Sequence, residues 1–309
     1  MSQAVVPRSF SEAAAALAAA ADRAEPVRII GGGSKLGWGG RPPSRAVQLQ
    51  TTHLSRVTLH DDGRSATVGA GTPLVRAQAI FARAGRMLAI DPQLGLGRTP
   101  TATVGGVLAT ADSGPLSHRY GPPRRQLLGL TAALSDGRLL RTGPRTDHEQ
   151  HGWDVVSLFT GSFGTLGVLL AVDVRLHPLP RATASALGTS GEPERLRDAA
   201  ERLGDEHPDL EALDFAWHGG RGGLLAQAAG EDAEARAQRA ALTMRACGLE
   251  DTGVRADDAG VWARQRAGQR STDSSVLRVR HPPERLAAIL RVADTAEAVA
   301  VGRAALGTA

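Results

Sequence analysis

The chain has 309 residues, 42% of them apolar and 22% charged, which is enough for a sizeable core and excludes bulk disorder. Aromatics make up only 3%, so the core must be aliphatic, and the 36 basic residues exceed the 32 acidic ones by only four and are dispersed, which argues against a nucleic-acid surface. A single cysteine, Cys247, excludes an internal disulfide framework and any all-cysteine metal cage.

Residues 1–7 show no basic region followed by an apolar stretch, and the alanine-rich run 13–21 is too short to cross a bilayer. A cytoplasmic setting with no membrane span is therefore expected. Ser9-Phe10-Ser11-Glu12 reads as a capping box opening a helix to about Asp22. Residues 27–30 form a short strand that runs into Gly31-Gly32-Gly33-Ser34-Lys35, and 46–49 and 65–68 are further strands. Gly71-Thr72-Pro73-Leu74 starts the next helix, with Thr72 as N-cap, Pro73 at the first helical position and Gly85 as its stop. Leu74, Gln78 and Phe81 share one face of it.

Residues 91–125 are rich in Gly, Pro and Thr, and only 104–111 have the character of a regular element. Asp136-Gly137 is a hairpin turn between strands at 127–134 and 138–142. In 167–176 the alternation of Val168, Leu170, Val172, Val174 and Leu176 predicts a half-buried strand. His177-Pro178-Leu179-Pro180 is the expected domain boundary. Beyond it come a helix at 193–203 ended by Gly204, strands at 212–217 and 224–228, and a long helix at 232–247. A strand at 276–279, a helix at 283–292 and a strand at 298–301 follow, an antiparallel α+β pattern with helices on one face.

Consecutive glycines after a strand remove side chains and let peptide N–H groups converge on an anion, with the Ser34 hydroxyl and Lys35 ammonium as added donors. The natural ligand is a phosphate or diphosphate; the plainer alternative is a glycine-rich surface loop. The ATP-type loop spacing is absent, and Leu36 stands where the dinucleotide fingerprint needs glycine. Thr101-Ala102-Thr103-Val104-Gly105-Gly106-Val107, Asp112-Ser113-Gly114-Pro115 and Arg119-Tyr120-Gly121 form a second cluster, and Gly161-Ser162-Phe163-Gly164-Thr165-Leu166-Gly167 a third. Loops of this kind lining one extended, phosphate-bearing cofactor is the economical reading.

Taken in order with Gly69-Ala70-Gly71-Thr72-Pro73-Leu74, these motifs resemble the FAD-binding domain of the p-cresol methylhydroxylase/vanillyl-alcohol oxidase (PCMH) type, with the FAD-binding E subunit of glycolate oxidase as the closest likeness. The resemblance covers roughly residues 8–180. It implies an α+β chain: a two-subdomain PCMH-type FAD-binding domain over residues 1–180, then an α+β cap over 181–309. The family usually continues beyond the equivalent of 298–306 with another strand, a helix and a closing segment, so the cap is expected to be shortened.

The resemblance also implies site residues. Gly31, Gly32, Gly33, Ser34 and Lys35 would contact the diphosphate. Thr103, Val104, Gly105 and Gly106 would line the cofactor near its phosphates and isoalloxazine, and Ser113, Gly114 and Tyr120 would flank the flavin. Gly164, Thr165, Gly167 and Val168 would receive the adenosine portion or close the pocket. Some family members attach FAD through a histidine in the first glycine loop; Ser34 and Lys35 stand here, so non-covalent FAD is expected.

The stretch His148-Glu149-Gln150-His151-Gly152-Trp153-Asp154-Val155 departs from the usual Lys-Asn-Val-Ala-Gly-Tyr-Asp-Leu. His148 or His151 has the right acidity for a proton acceptor, or the stretch is a solvated loop. With Asp147 and Asp154 these histidines lack a further ordered ligand, so no metal site is expected. His118 faces either the flavin or solvent, Arg221 beside His218 either pairs a substrate carboxylate or turns a hairpin, and Cys247 is a small buried group. The activity implied is oxidation of a small 2-hydroxy acid such as glycolate by hydride transfer to flavin N5, within a complex that includes a catalytic flavoprotein and an iron–sulfur subunit. The alternative is a non-catalytic FAD-binding subunit supporting such a flavoprotein. The catalytic base is not readable from the sequence.

Overall fold

Ser9 caps the first helix of the protein in a computed structural model that describes residues 4–38, 45–95, 101–143, 154–270 and 275–308. Its Oγ accepts from the Glu12 N–H at 3.1 Å, while Glu12 Oε2 accepts from the Arg8 N–H at 2.8 Å. The expectations placed on His148, Glu149, Gln150, His151, Gly152 and Trp153 fall outside the described residues.

In chain order the elements up to residue 179 are β1 (Ala4–Val5), α1 (Phe10–Asp22), β2 (Val27–Ile30), β3 (Val47–Gln50), β4 (Val57–Leu59), β5 (Ser65–Gly69), α2 (Leu74–Arg83), β6 (Arg86–Met87), α3 (Val104–Ala109), α4 (Ser117–Tyr120), β7 (Leu127–Ala133), β8 (Leu139–Thr142), α5 (Val155–Phe159), β9 (Val168–Arg175) and β10 (His177–Pro178). Contacts divide the chain into two units. The first is Met1–Ser113 with Gly121–Leu179, and the second is Gly114–Tyr120 with Pro180–Ala309.

In the first unit, β1, β3 and β2 form a parallel sheet in that order, and β4-β5-β9-β7-β8 an antiparallel one. Phe81, Ala77 and Leu74 on one face of α2 pack with Leu88, Val104, Leu108 and Val172 in the main core. Each fully buried aliphatic or aromatic side chain of this kind contributes roughly 1.5–3 kcal/mol. The hairpin at Asp136-Gly137 forms as expected, with Gly137 at φ 80°. Strand β9 departs from simple alternation. A bulge opposite Thr131/Ala132 leaves Val168 and Leu170 against α1, and Leu169, Val172 and Val174 in the main core, so both faces are buried.

In the second unit, β11 (Thr183–Ser190), β12 (Ala212–His218), β13 (Arg221–Ala229), β14 (Glu250–Arg255) and β15 (Ala300–Arg303) form an antiparallel sheet, order β14-β11-β13-β12-β15. Leu213, Phe215 and Trp217 of β12 pack with Leu196 and Leu203 of α6 (Pro193–Glu206), Met244 of α7 (Ala233–Ala246) and Leu290 of α9 (Leu286–Thr295). The expectation of helices on one face needs correction. On the opposite face lies α8 (Ala259–Ala267), whose Trp262 and Gln265 bond to Ser185 and Asp214.

Other boundaries also move. Helix α2 begins at Leu74 with Pro73 as its cap, because Pro73 forms an antiparallel bridge with Thr103. Helix α6 continues through Gly204, and residues 276–279 form no strand, with Leu277 82% exposed. Residues 91–125 hold α4 and a short 3-10 turn at Pro123–Gln126 besides α3. The α+β class itself stands.

Candidate functional site

Strand β2 pairs in parallel with β3 to Ile30, whose carbonyl accepts from the Thr51 N–H at 2.9 Å; the chain then bends into the glycine loop. Only Gly33 of the triplet needs a left-handed backbone, at φ 76°. Gly31 and Gly32 are glycine for another reason. A Cβ on Gly32 would lie 1.5 Å from the Thr101 carbonyl oxygen, and one on Gly31 would lie 2.3 Å from Thr103 Oγ1. The first loop is thus pressed onto the second by its own packing.

The two loops differ in what their amides do. The N–H groups of Val104, Gly105 and Gly106 donate to Thr72 O at 2.9 Å, Ala70 O at 2.8 Å and Thr103 Oγ1 at 3.2 Å. Thr103, Val104 and Gly105 are also buried, leaving Gly106 half-buried. The amides at those positions are therefore taken up by the protein itself. By contrast, the N–H groups of Gly32, Gly33 and Ser34 donate to nothing among the described residues, and Gly33 is exposed. Consecutive free amides in a turn form an anion-binding concavity.

The third loop returns to the same place. The Gly161 and Phe163 N–H groups donate to the carbonyls of Leu108 and Ala109 at the end of α3, at 3.0 and 2.8 Å. A Cβ on Gly164, at φ 77°, would meet Ile29 Cδ1 of β2 at 2.7 Å. Gly167, at φ 151°, is held against the Ala133 carbonyl, Thr165 is exposed and Val168 is fully buried. Gly31–Lys35, Thr101–Gly106 and Gly161–Gly167 therefore share one locale in the first unit.

Lys35 does not extend from this loop. Its Nζ lies 3.3 Å from Asp112 Oδ2, both side chains being nearly buried, and 6.0 Å from the Trp38 ring centroid. Asp112 is set by the end of α3: Ala111 turns left-handed at φ 48°, and the Asp112 N–H returns to Val107 O at 3.0 Å. Arg28 Nη2 donates to Leu36 O at 3.1 Å and ties down the far side of the loop. Sequence reasoning assigned no role to Asp112, Thr101 or Arg28. Asp112 stood inside the second glycine cluster, but nothing local linked it to Lys35.

Ser113 is half-buried and ends this part of the first unit. Gly114 and Tyr120 belong to the second unit, where α4 packs on β12. Gly114 O accepts from Ser117 Oγ at 2.7 Å, and Arg119 Nε lies 3.3 Å from the buried Glu211. Burial and a hydrogen bond to Glu211 push the Tyr120 hydroxyl well above the usual phenol range, so it stays protonated. Burial, helped by Arg119, lowers the pKa of His118, whose Nδ1 has no partner among the described residues. A neutral imidazole of this kind can accept a proton.

Arg221 is held by Glu250 Oε2 at 2.9 Å and Asp251 Oδ2 at 3.0 Å, so its guanidinium is already engaged. His218 is exposed, and Cys247 closes α7 half-buried against the core. Among the described residues no group of three His, Cys, Asp or Glu is placed to hold a metal, and no helix is long and apolar enough to cross a membrane.

The chain is 34% identical over 177 residues to a D-lactate dehydrogenase of Archaeoglobus fulgidus, covering 57% of this chain and 39% of that protein. It is 31% identical over 157 residues to glycolate oxidase subunit GlcE of Escherichia coli, covering 51% of this chain and 44% of that subunit. The chain thus spans about two fifths of the length of these relatives. An alkyldihydroxyacetonephosphate synthase structure shares the fold, with a TM-score of 0.69 at 16% identity over 85% of this chain and 57% of that one. The FAD binding domain family model matches residues 1–143, the segment that contains the free amides of the glycine loop. Residues 1–143 are thus matched as an FAD binding domain, and FAD is the cofactor that this match supports.

Proposed function

We propose that the amides of Gly32, Gly33 and Ser34 hold the diphosphate of non-covalently bound FAD. The observation that carries this reading is the contrast in donors: among the described residues these amides have no acceptor, whereas those of Val104, Gly105 and Gly106 are consumed by the protein. The residues present fit the group, since an anion needs converging N–H donors and a surface clear of side chains. Gly106, Ser113, Gly164 and Thr165 border the cofactor in this reading. Gly31, Thr103, Val104, Gly105, Gly167 and Val168 shape the loops from behind.

The activity proposed is oxidation of a small 2-hydroxy acid such as glycolate or D-lactate, within a complex that also holds a catalytic flavoprotein and an iron–sulfur subunit. FAD, when bound, supplies a hydride acceptor at N5 for the carbon bearing the substrate hydroxyl. The chain's residues bind and orient it. Similarity to a D-lactate dehydrogenase and to a glycolate oxidase subunit supports the substrate class. Similarity to a protein named as a subunit also favours a second reading, a FAD-carrying subunit that does not itself oxidise substrate. Anaerobic addition of glycolate or D-lactate to the FAD-loaded protein separates the two. Bleaching of the yellow flavin band is the result expected of an oxidoreductase; retained colour points to the supporting subunit. Protein that cannot be loaded with FAD contradicts both.

A further inference from the structure

Lys35 is the chain's sole lysine, and its placement is unusual for a residue at the edge of an anion loop. An ammonium that attracts phosphate must reach the ligand. Here the side chain is 6% exposed and its Nζ lies 3.3 Å from the carboxylate of Asp112, itself 5% exposed. A buried charge persists only with a partner, and the charges of this pair cancel before any ligand arrives. The pair joins the glycine loop to the turn that ends α3, while Arg28 holds Leu36 on the loop's other side. The free amides of Gly32, Gly33 and Ser34 lie between β2 and this anchor.

We infer that Lys35 is a positioning residue and not a phosphate ligand: its ion pair with Asp112 fixes the Gly32–Ser34 amides in the arrangement that receives the diphosphate. The inference rests on the FAD reading of the loop. Affinity then depends on the pair, not on the sign of the charge at position 35.

Two measurements on the full chain test this. The first is FAD affinity, by titration of apoprotein, for Lys35→Met, Asp112→Asn and the exchanged pair Lys35→Asp/Asp112→Lys, each checked by thermal unfolding without FAD. A positioning role predicts that both single variants weaken FAD by about tenfold or more, and that the exchanged pair recovers most of the loss. Direct contact with phosphate predicts the reverse: Asp112→Asn binds FAD as well as or better than wild type, and the exchanged pair binds as poorly as Lys35→Met. If the single variants do not fold, the exchanged pair decides by the same criterion.

The second is acetylation of the lysine in wild-type protein, read by mass spectrometry on the peptide that contains it. Slow labelling of Lys35 in FAD-free protein, unchanged by FAD, is the expected result. Fast labelling that FAD suppresses overturns the inference, and it decides even where no variant folds. Wild-type apoprotein that takes up no FAD would instead refute the FAD reading, and labelling of that apoprotein still reports on the ion pair separately.

Discussion

Asp214 and Arg303 stand directly opposite each other on the antiparallel strands β12 and β15, both buried. Gln265 Nε2 donates to Asp214 Oδ2 at 3.1 Å, while Asp214 Oδ1 has no hydrogen-bond partner among the described residues. Burial raises the Asp214 pKa from 3.8 to about 6, against the opposing pull of Arg303.

The sign of the pH effect follows from that shift. Between about pH 4 and pH 6 the folded state binds more protons at Asp214 than the unfolded state does. Its contribution to stability is therefore fully present below about pH 4 and is lost as pH rises through about 6. Asp214→Asn mimics the protonated form, so it should be more stable than wild type near neutral pH, by at most about 3 kcal/mol. Melting temperatures of the two proteins should converge as pH falls to about 4. A difference that does not change with pH, or an Asn variant less stable at neutral pH, would contradict this.

Asp258 anchors the polar face of the same sheet. It accepts from Thr183 Oγ1 at 2.8 Å, Ser185 Oγ at 2.7 Å and Gln227 Nε2 at 2.8 Å, and Trp262 Nε1 donates to Ser185 Oγ at 2.8 Å. Asp258→Ala strips buried Ser185 and half-buried Thr183 and Gln227 of their shared acceptor. We expect a loss of about 3 kcal/mol or more, because each buried donor left unsatisfied costs about 1–3 kcal/mol. Denaturant unfolding measures it. A loss under about 1 kcal/mol would show that water replaces the carboxylate.

The glycine loop gives an internal control. A Cβ on Gly32 would strike the Thr101 carbonyl oxygen at 1.5 Å, whereas one on Gly37 meets nothing within 4 Å among the described residues. Gly32→Ala must displace the free amides and should weaken FAD by about tenfold or more, while Gly37→Ala should leave affinity unchanged. Equal affinities for the two variants would remove the loop from the site. Because the clash is with the protein's own backbone, even alanine suffices, and a larger residue at Gly32 would not be a cleaner probe.

How much of this was legible in the sequence depends on the range of the interaction. The Ser9 cap, the Gly137 turn and the stop at Gly85 are local, and each forms where its residues place it. Thr72 fails as a cap because its carbonyl is taken by the Val104 N–H and Pro73 bridges to Thr103, a tertiary contact that overrides a local signal. The bulge in β9 splits an alternation that looked continuous. Val276 and Leu277 have strand-forming side chains but no strand partner among the described residues, and both are exposed.

The glycines of these clusters are required for reasons only partly visible in the sequence. Gly33 is needed for its backbone angle, but Gly31, Gly32 and Gly105 are needed because Thr103, Thr101 and Ala70 approach so closely. The role of Lys35 was hidden altogether. Its partner lies beyond four strands and two helices in the chain, and no pattern around either residue announces the pair.

The central claim is that main-chain amides at the end of β2 grip a diphosphate. Titrating apoprotein in parallel with FAD and with riboflavin, which carries the same ring system but no phosphate, tests it most directly. Charge-assisted hydrogen bonds from three amides should make FAD bind at least about a hundredfold more tightly. Riboflavin binding as tightly as FAD would contradict the account.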